Sequence, residues 1–370
     1  MPPKKNLSPA MERVNNWVAE HLSSIKYIEK IFFVDHMRTM IQAGLSLVEA
    51  LNILEKETEN RKFKNIIIEI RSEIEQGKNL SEVLEKHPKA FPPIYVKMVA
   101  SGEVAGQLEQ SLEQIVIQMR KQHDLISSIR GAMVYPAVII LALVSVAILM
   151  VTVVLPKLLE IFKDFDAELP LATKLLIAIT DFMSDPFNLT LIFGGLVLFI
   201  ILFVTGLKKS PRFRSGIHNM NLHLPIFGKV IKKINLARFS MTLSSLLHST
   251  VPIISAIDIT GDTCSNLKFR EALHSAKPKL ETGAQLSEVL QEHPKLFPPM
   301  VSEMILVGER TGEIGHMLEQ ISDFFAKEVD RTMKNFTTII EPIIILVLGV
   351  AVAGMALAVM MPMYSLVQNF

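Results

Sequence analysis

The sequence predicts an all-α integral membrane protein with two tandem helical domains and three transmembrane helices. Three observations predict it. Three 19-residue stretches carry no charge, the chain repeats itself at an offset of 206 residues, and apolar residues recur at helical spacing with no convincing strand. Composition is less decisive. Hydrophobic residues make up 49% of the chain and the mean hydropathy is +0.36, against about 45–50% apolar in soluble domains. The formal net charge of +1 implies no overall electrostatic partner, and in particular no nucleic acid.

Residues 1–32 form the first element. Lys4 and Lys5 are followed by no uninterrupted apolar run, so the segment does not read as a secretory signal. Trp17, Val18, Leu22, Ile25, Ile28 and Ile31 recur at helical spacing and predict an amphipathic helix over 11–32.

Residues 33–135 are the first helical domain and 239–341 the second, with a linker at 208–238. The run NLSEVLEKHPKAFPP at 79–93 returns as QLSEVLQEHPKLFPP at 285–299, and Gly77, Gly102 and Gly106 return as Gly283, Gly308 and Gly312. No gap is needed between 33–156 and 239–362, so each repeated unit includes the transmembrane segment that follows it. About six helices are expected per repeat. Phe63, Ile67, Ile70 and Ile74 form a core-facing stripe, matched by Phe269, Leu273, Ala276 and Leu280. A second stripe, Leu108, Leu112, Ile115 and Met119, is matched by Ile314, Leu318, Ile321 and Phe325. Ser81 and Ser287 are expected to N-cap a short helix. The pairs His87-Pro88 and His293-Pro294 end it, Pro92-Pro93 and Pro298-Pro299 open the next, and Gly102 and Gly308 fit that helix's end.

The charge-free stretches 137–155, 189–207 and 343–361 each match the roughly 20 helical residues that span a bilayer core. They lie in transmembrane helices placed at 136–155, 189–207 and 342–362. Basic residues flank them on one side: Arg120, Lys121 and Arg130, then Lys208, Lys209, Arg212 and Arg214, then Arg331 and Lys334. The loop 156–188 holds three lysines against six carboxylates, and the tail 363–370 is uncharged. The positive-inside rule therefore puts the N-terminus and both domains in the cytoplasm, and the loop and C-terminus outside.

Chemistry-bearing motifs are scarce. There is no phosphate-binding G-x-x-x-x-G-K-[ST] loop, no H-E-x-x-H, and a single cysteine, Cys264, expected to be a small buried residue. No catalytic residue, metal ligand or cofactor is expected, and the spans hold no ionisable side chain of the kind ion-coupled transport needs. Glu103 and Glu309, in the SGEVAG and VGERTG turns, are the candidate partner-binding residues; a solvated or helix-capping carboxylate is the plainer role. His87, Pro88, His293, Pro294 and the glycines Gly102, Gly106, Gly308 and Gly312 are assigned turn or structural roles. Gly349, Ala353, Gly354 and Ala358 give the third span a small-residue packing face.

These features together resemble the inner-membrane platform proteins of type IV pilus assembly and type II secretion, the F family. The resemblance rests on AGLSLVEAL at 43–51, the LSEVL…HP-x-x-FPP run, the SGEVAG and VGERTG turns, and the order of domain, span, loop, span, domain, span. It covers residues 33–370. It implies a non-enzymatic hub of the bacterial cytoplasmic membrane, embedded in the lipid bilayer and homo-oligomeric. Its implied partners are a cytoplasmic assembly ATPase, pilin or pseudopilin subunits, and inner-membrane assembly proteins. Thr250-Val251-Pro252 replaces Gly44-Leu45-Ser46 in the second repeat, so the two domains need not bind one partner. An oligomeric transporter or channel is the alternative reading.

Overall fold

The computed structural model describes residues 24–150, 186–209 and 227–368, and the isolated residues 152, 182, 216 and 220. The first repeat comprises α1 (Tyr27–Gln42), α2 (Leu47–Glu57), α3 (Arg61–Glu75), α4 (Leu80–Glu85), α5 (Pro93–Ala105) and α6 (Leu108–Leu149). After α7 (Pro186–Lys209), the second comprises α8 (Phe227–His248), α9 (Ile253–Thr263), α10 (Leu267–Glu281), α11 (Leu286–Gln291), α12 (Pro299–Thr311) and α13 (Ile314–Gln368). Both ends of α2 to α5, and the start of α6, recur in α9 to α13 at the 206-residue offset. The described residues contain no strand.

The chain divides into two compact units. One takes in 1–126 and 221–328, so the helical domains of both repeats share it; the other takes in 127–220 and 329–370. In the first unit each repeat closes around three phenylalanines at equivalent positions. Phe33, Phe63 and Phe91 have ring centroids 5.3–6.2 Å apart, and Phe239 and Phe269 approach Phe297 at 5.2 and 5.3 Å. These are favourable aromatic separations. Phe91 and Phe297 belong to the FPP motif, whose prolines then open α5 and α12 at the cap and first helical position. Leu80, Val83 and Leu84, with Leu286, Val289 and Leu290, bury the apolar face of each LSEVL helix.

Three local expectations are corrected. The helix predicted over 11–32 does not run through: Lys26 is an extended N-cap and α1 starts at Tyr27, while residues 11–23 lie outside the described residues. Ser81 and Ser287 are not N-caps. Asn79 and Gln285 hold that position, neither giving a side-chain capping bond. The fifth helix of each repeat passes Gly102 and Gly308 and ends at Gly106 and Gly312, whose φ of 67° and 77° are left-handed. Glycine favours that conformation because it has no Cβ.

The repeats differ most where α1 turns into α2 and α8 into α9. Gly44 has φ 87°, while its counterpart Thr250 is held at φ 59°, a costly conformation for a β-branched residue. Ser46 forms a capping box with Glu49, whereas Pro252 caps nothing with its side chain. Thr250→Gly should stabilise the protein by about 1 kcal/mol, read as a higher midpoint in thermal unfolding in detergent. An unchanged or lower midpoint would show that this turn is not strained.

Among the described residues, α6 and α13 are long and apolar enough to cross a membrane, and their apolar stretches lie in the second unit. Apolar side chains along them are exposed, among them Val138, Leu141, Ile345 and Leu346. A helix apolar all round belongs in an apolar surrounding. The sequence repeat begins at 33 and 239, inside α1 and α8, because the repeat records similarity while the helices extend to wherever their backbone is capped.

Candidate functional site

The SGEVAG and VGERTG segments are the last turns of α5 and α12, and each presents a carboxylate to the preceding short helix. Glu103 accepts the backbone N–H of Leu80 at 2.5 Å and of Ser81 at 3.1 Å, and the Ser81 hydroxyl. Glu309 accepts the N–H of Leu286 at 2.6 Å and of Ser287 at 3.3 Å, and the Ser287 hydroxyl. The first N–H groups of any helix lack an intrahelical acceptor, and negative charge is favourable there. Glu103 and Glu309 therefore cap α4 and α11 from 22–23 residues away in sequence.

Packing brings the two helices to this distance. Gly102 and Gly308 are buried beside the next helix. A Cβ on Gly102 would sit 2.3 Å from the Ser111 Oγ, and one on Gly308 would sit 2.8 Å from the Ile314 Cα. Gly106 and Gly312 reverse the chain without crowding. The His87 carbonyl accepts the N–H groups of Ala90 and Phe91, and the His293 carbonyl those of Leu296 and Phe297, all at 2.9 Å. Pro88 and Pro294 occupy the same turns. The His87 ring lies 3.6 Å from Glu69. The outer surfaces of the two turns differ: Val104 is 92% exposed, and its counterpart is Arg310.

The two repeats meet through different faces. Gln118 of α6 donates to the Thr242 hydroxyl at 3.3 Å and accepts from the Ser245 hydroxyl at 2.9 Å, both on α8. Lys121 reaches Glu319 and Asp323 of α13, each at 3.0 Å. Between the repeats lies a cavity of about 290 Å³, where Tyr27, Tyr95 and Gln122 face Arg238 and Thr263. The hydroxyls of Tyr27 and Tyr95 are 2.9 Å apart, and burial raises both of their pKa values. Burial lowers that of Arg238.

Among the described residues, no group of three or more His, Cys, Asp or Glu side chains is placed to hold a metal ion. Cys264 is buried, and burial pushes its thiol up to about 12. Gly349, Ala353 and Gly354 are exposed on α13, with open space around both glycines; the side chain of Ala358 lies outside the described residues. Sequence reasoning found helix capping as the plainer role of Glu103 and Glu309, but not which helix each caps, and it did not find the Gln118 contact. The capping bonds and this contact join residues too far apart in the chain for any local spacing rule.

Comparison with known proteins accounts for the duplicated architecture. The chain is 38% identical over 335 residues to the "Type IV pilus assembly protein PilC" of Thermus thermophilus, covering 90% of this chain and 82% of that protein. It is 33% identical over 343 residues to the protein of that name from Pseudomonas aeruginosa, covering 92% and 91%. It is 29% identical over 335 residues to "Type II secretion system protein F" of Aeromonas hydrophila, covering 89% and 84%. Residues 33–156 and 239–362 each match the family described as "Type II secretion system (T2SS), protein F", the same two segments that the internal repeat delimits. The chain therefore belongs to the type II secretion protein F family, which includes the type IV pilus assembly proteins.

Proposed function

We propose that this chain is the non-enzymatic inner-membrane platform of a type IV pilus or type II secretion machine. It couples a cytoplasmic assembly ATPase to pilin extraction and filament polymerisation. The observation that carries this reading is the duplicated family match, each half of which runs into a helix long and apolar enough to cross a membrane. In this reading α7, which contains the charge-free run 189–207, is a third span. It returns the chain so that both helical bundles lie in the cytoplasm, while 156–188 and the C-terminus lie outside. The exposed small residues of α13 support helix association within a homo-oligomer.

The continuity of α6 and α13 supports a mechanical role. Each starts among the buried residues of a helical domain and continues as an apolar helix, and in this reading displacement of a bundle is passed to the span through that helix. Glu103 and Glu309 serve partner binding by holding their turns, since their carboxylates already accept internal hydrogen bonds. The contacting surface at the first turn is then Val104.

Detergent co-purification with the assembly ATPase from the native cell tests this reading. Wild type should retain the ATPase, Val104→Asp should lose it, and membrane insertion should be equal in both. Failure of wild type to retain it would count against the coupling role. Retention by wild type only would place the contact at the α5 turn, and equal retention would move it elsewhere.

A further inference from the structure

The packing of the two repeats is head-to-tail, and each repeat keeps unused the face that the other has committed. Gln118 in α6 is 2% exposed against α8 of the second repeat, but its counterpart Phe324 in α13 is 46% exposed. Thr242 and Ser245 are buried in that contact, but their counterparts His36 and Thr39 in α1 are exposed. Arg238 lines the inter-repeat cavity, whereas its counterpart Phe32 is 54% exposed. A two-fold arrangement would bury both members of each pair, so the contact is heterologous.

From this geometry we infer that the unused α1–α2 face of one molecule docks on the unused α12–α13 face of another, repeating between chains the contact that joins the two repeats within one. The unused faces are apolar at all four compared positions, two of which, those of Arg238 and Gln118, are polar in the committed faces. Phe32 and Ile53 are exposed on one, Met300 and Phe324 on the other, replacing Arg238, Ile259, Ile94 and Gln118 of the internal contact. Charge agrees as well. The internal pair Lys121–Glu319 maps onto Lys327 and Glu113, both exposed and forming no ion pair among the described residues. Docking would bring Lys327 of one chain to Glu113 of the next. A heterologous contact leaves a free face at each end of the assembly until the ring closes, so it extends beyond a pair in a way that a two-fold contact cannot. The occupant is therefore a second copy of this chain, because the partner surface is one that this sequence already recognises in itself.

This interface deepens the homo-oligomer part of the platform reading, and the experiment separates the two. Two differently tagged full-length chains, one carrying His36→Cys and the other Phe324→Cys, are co-expressed, and native membranes are treated with a short bismaleimide. Cys264 is buried and its thiol is held protonated, so the engineered cysteines are the reactive ones. Gln118→Cys with Thr242→Cys in one chain is the internal control. The expected result is a cross-linked species carrying both tags, absent when either chain lacks its cysteine. Phe324→Glu, at an exposed site, should weaken association roughly tenfold or more in light scattering of the detergent-purified protein. An oligomer with no cross-link and no response to Phe324→Glu would overturn the interface and leave association to the spans. A monomeric protein would overturn both.

Discussion

Glu309→Ala is expected to lower the unfolding midpoint of the detergent-purified protein by about 4–8 °C. The carboxylate accepts two backbone N–H groups at the start of α11 and the Ser287 hydroxyl. A charge-assisted hydrogen bond is worth about 1.5–3 kcal/mol, and removing its acceptor leaves partly buried donors unsatisfied. Glu309 is half-buried, which places the loss near the low end, at about 2 kcal/mol. For a unit of this size each kcal/mol moves the midpoint by about 2–4 °C. Glu103→Ala should act equally at α4, because its contacts are the same. Glu309→Gln, which keeps an acceptor but not the charge, should fall between. Adding Ser287→Ala to Glu309→Ala should cost less than Ser287→Ala alone, since the two side chains share one interaction. An unchanged midpoint in Glu309→Ala would remove the cap from the account of this fold.

Those two glutamates also mark how far the sequence could be read. Stripes such as Phe63, Ile67 and Ile70, or Leu318, Ile321 and Phe325, are buried where their spacing put them, because burial of a helix face follows from a period of 3.6. The openings at Pro92-Pro93 and Pro298-Pro299 were legible for a similar reason, as proline fixes its own φ and lacks an N–H. Which helix each glutamate caps was not. Serine is a common N-cap, so Ser81 looked like one, but its hydroxyl is taken by a carboxylate on another helix. The close of α5 was misplaced by one turn. Two glycines stand four apart, and only the backbone shows that Gly106 takes the left-handed turn while Gly102 is small to let a helix approach. The joining of the repeats was equally hidden. Gln118 and Thr242 are unremarkable polar residues until folding buries them against each other.

The glycine at the approach should be the harder of the two to replace, and the second repeat shows why. Alanine is the better helix former by about 1 kcal/mol, so Gly308→Ala would stabilise α12 if the new methyl group had room. It would instead lie 2.8 Å from the Ile314 Cα and 3.0 Å from the Met317 Cγ. The methionine can turn aside, but the Cα is backbone at the start of α13 and yields only if that helix shifts. Overpacking of this kind costs about 1–3 kcal/mol, which exceeds the propensity gain, and the shift would also draw the neighbouring Glu309 away from α11. In the first repeat the obstacle is a side chain, Ser111, whose Oγ and Cβ lie 2.3 and 2.7 Å from the added group. Gly102→Ala should therefore be partly rescued by Ser111→Gly, while Met317→Ala should not rescue Gly308→Ala. Thermal unfolding of the two double variants beside their parents decides it. Rescue in both repeats would mean that the helices yield easily, and rescue in neither would mean that Ser111 is not what fixes their distance.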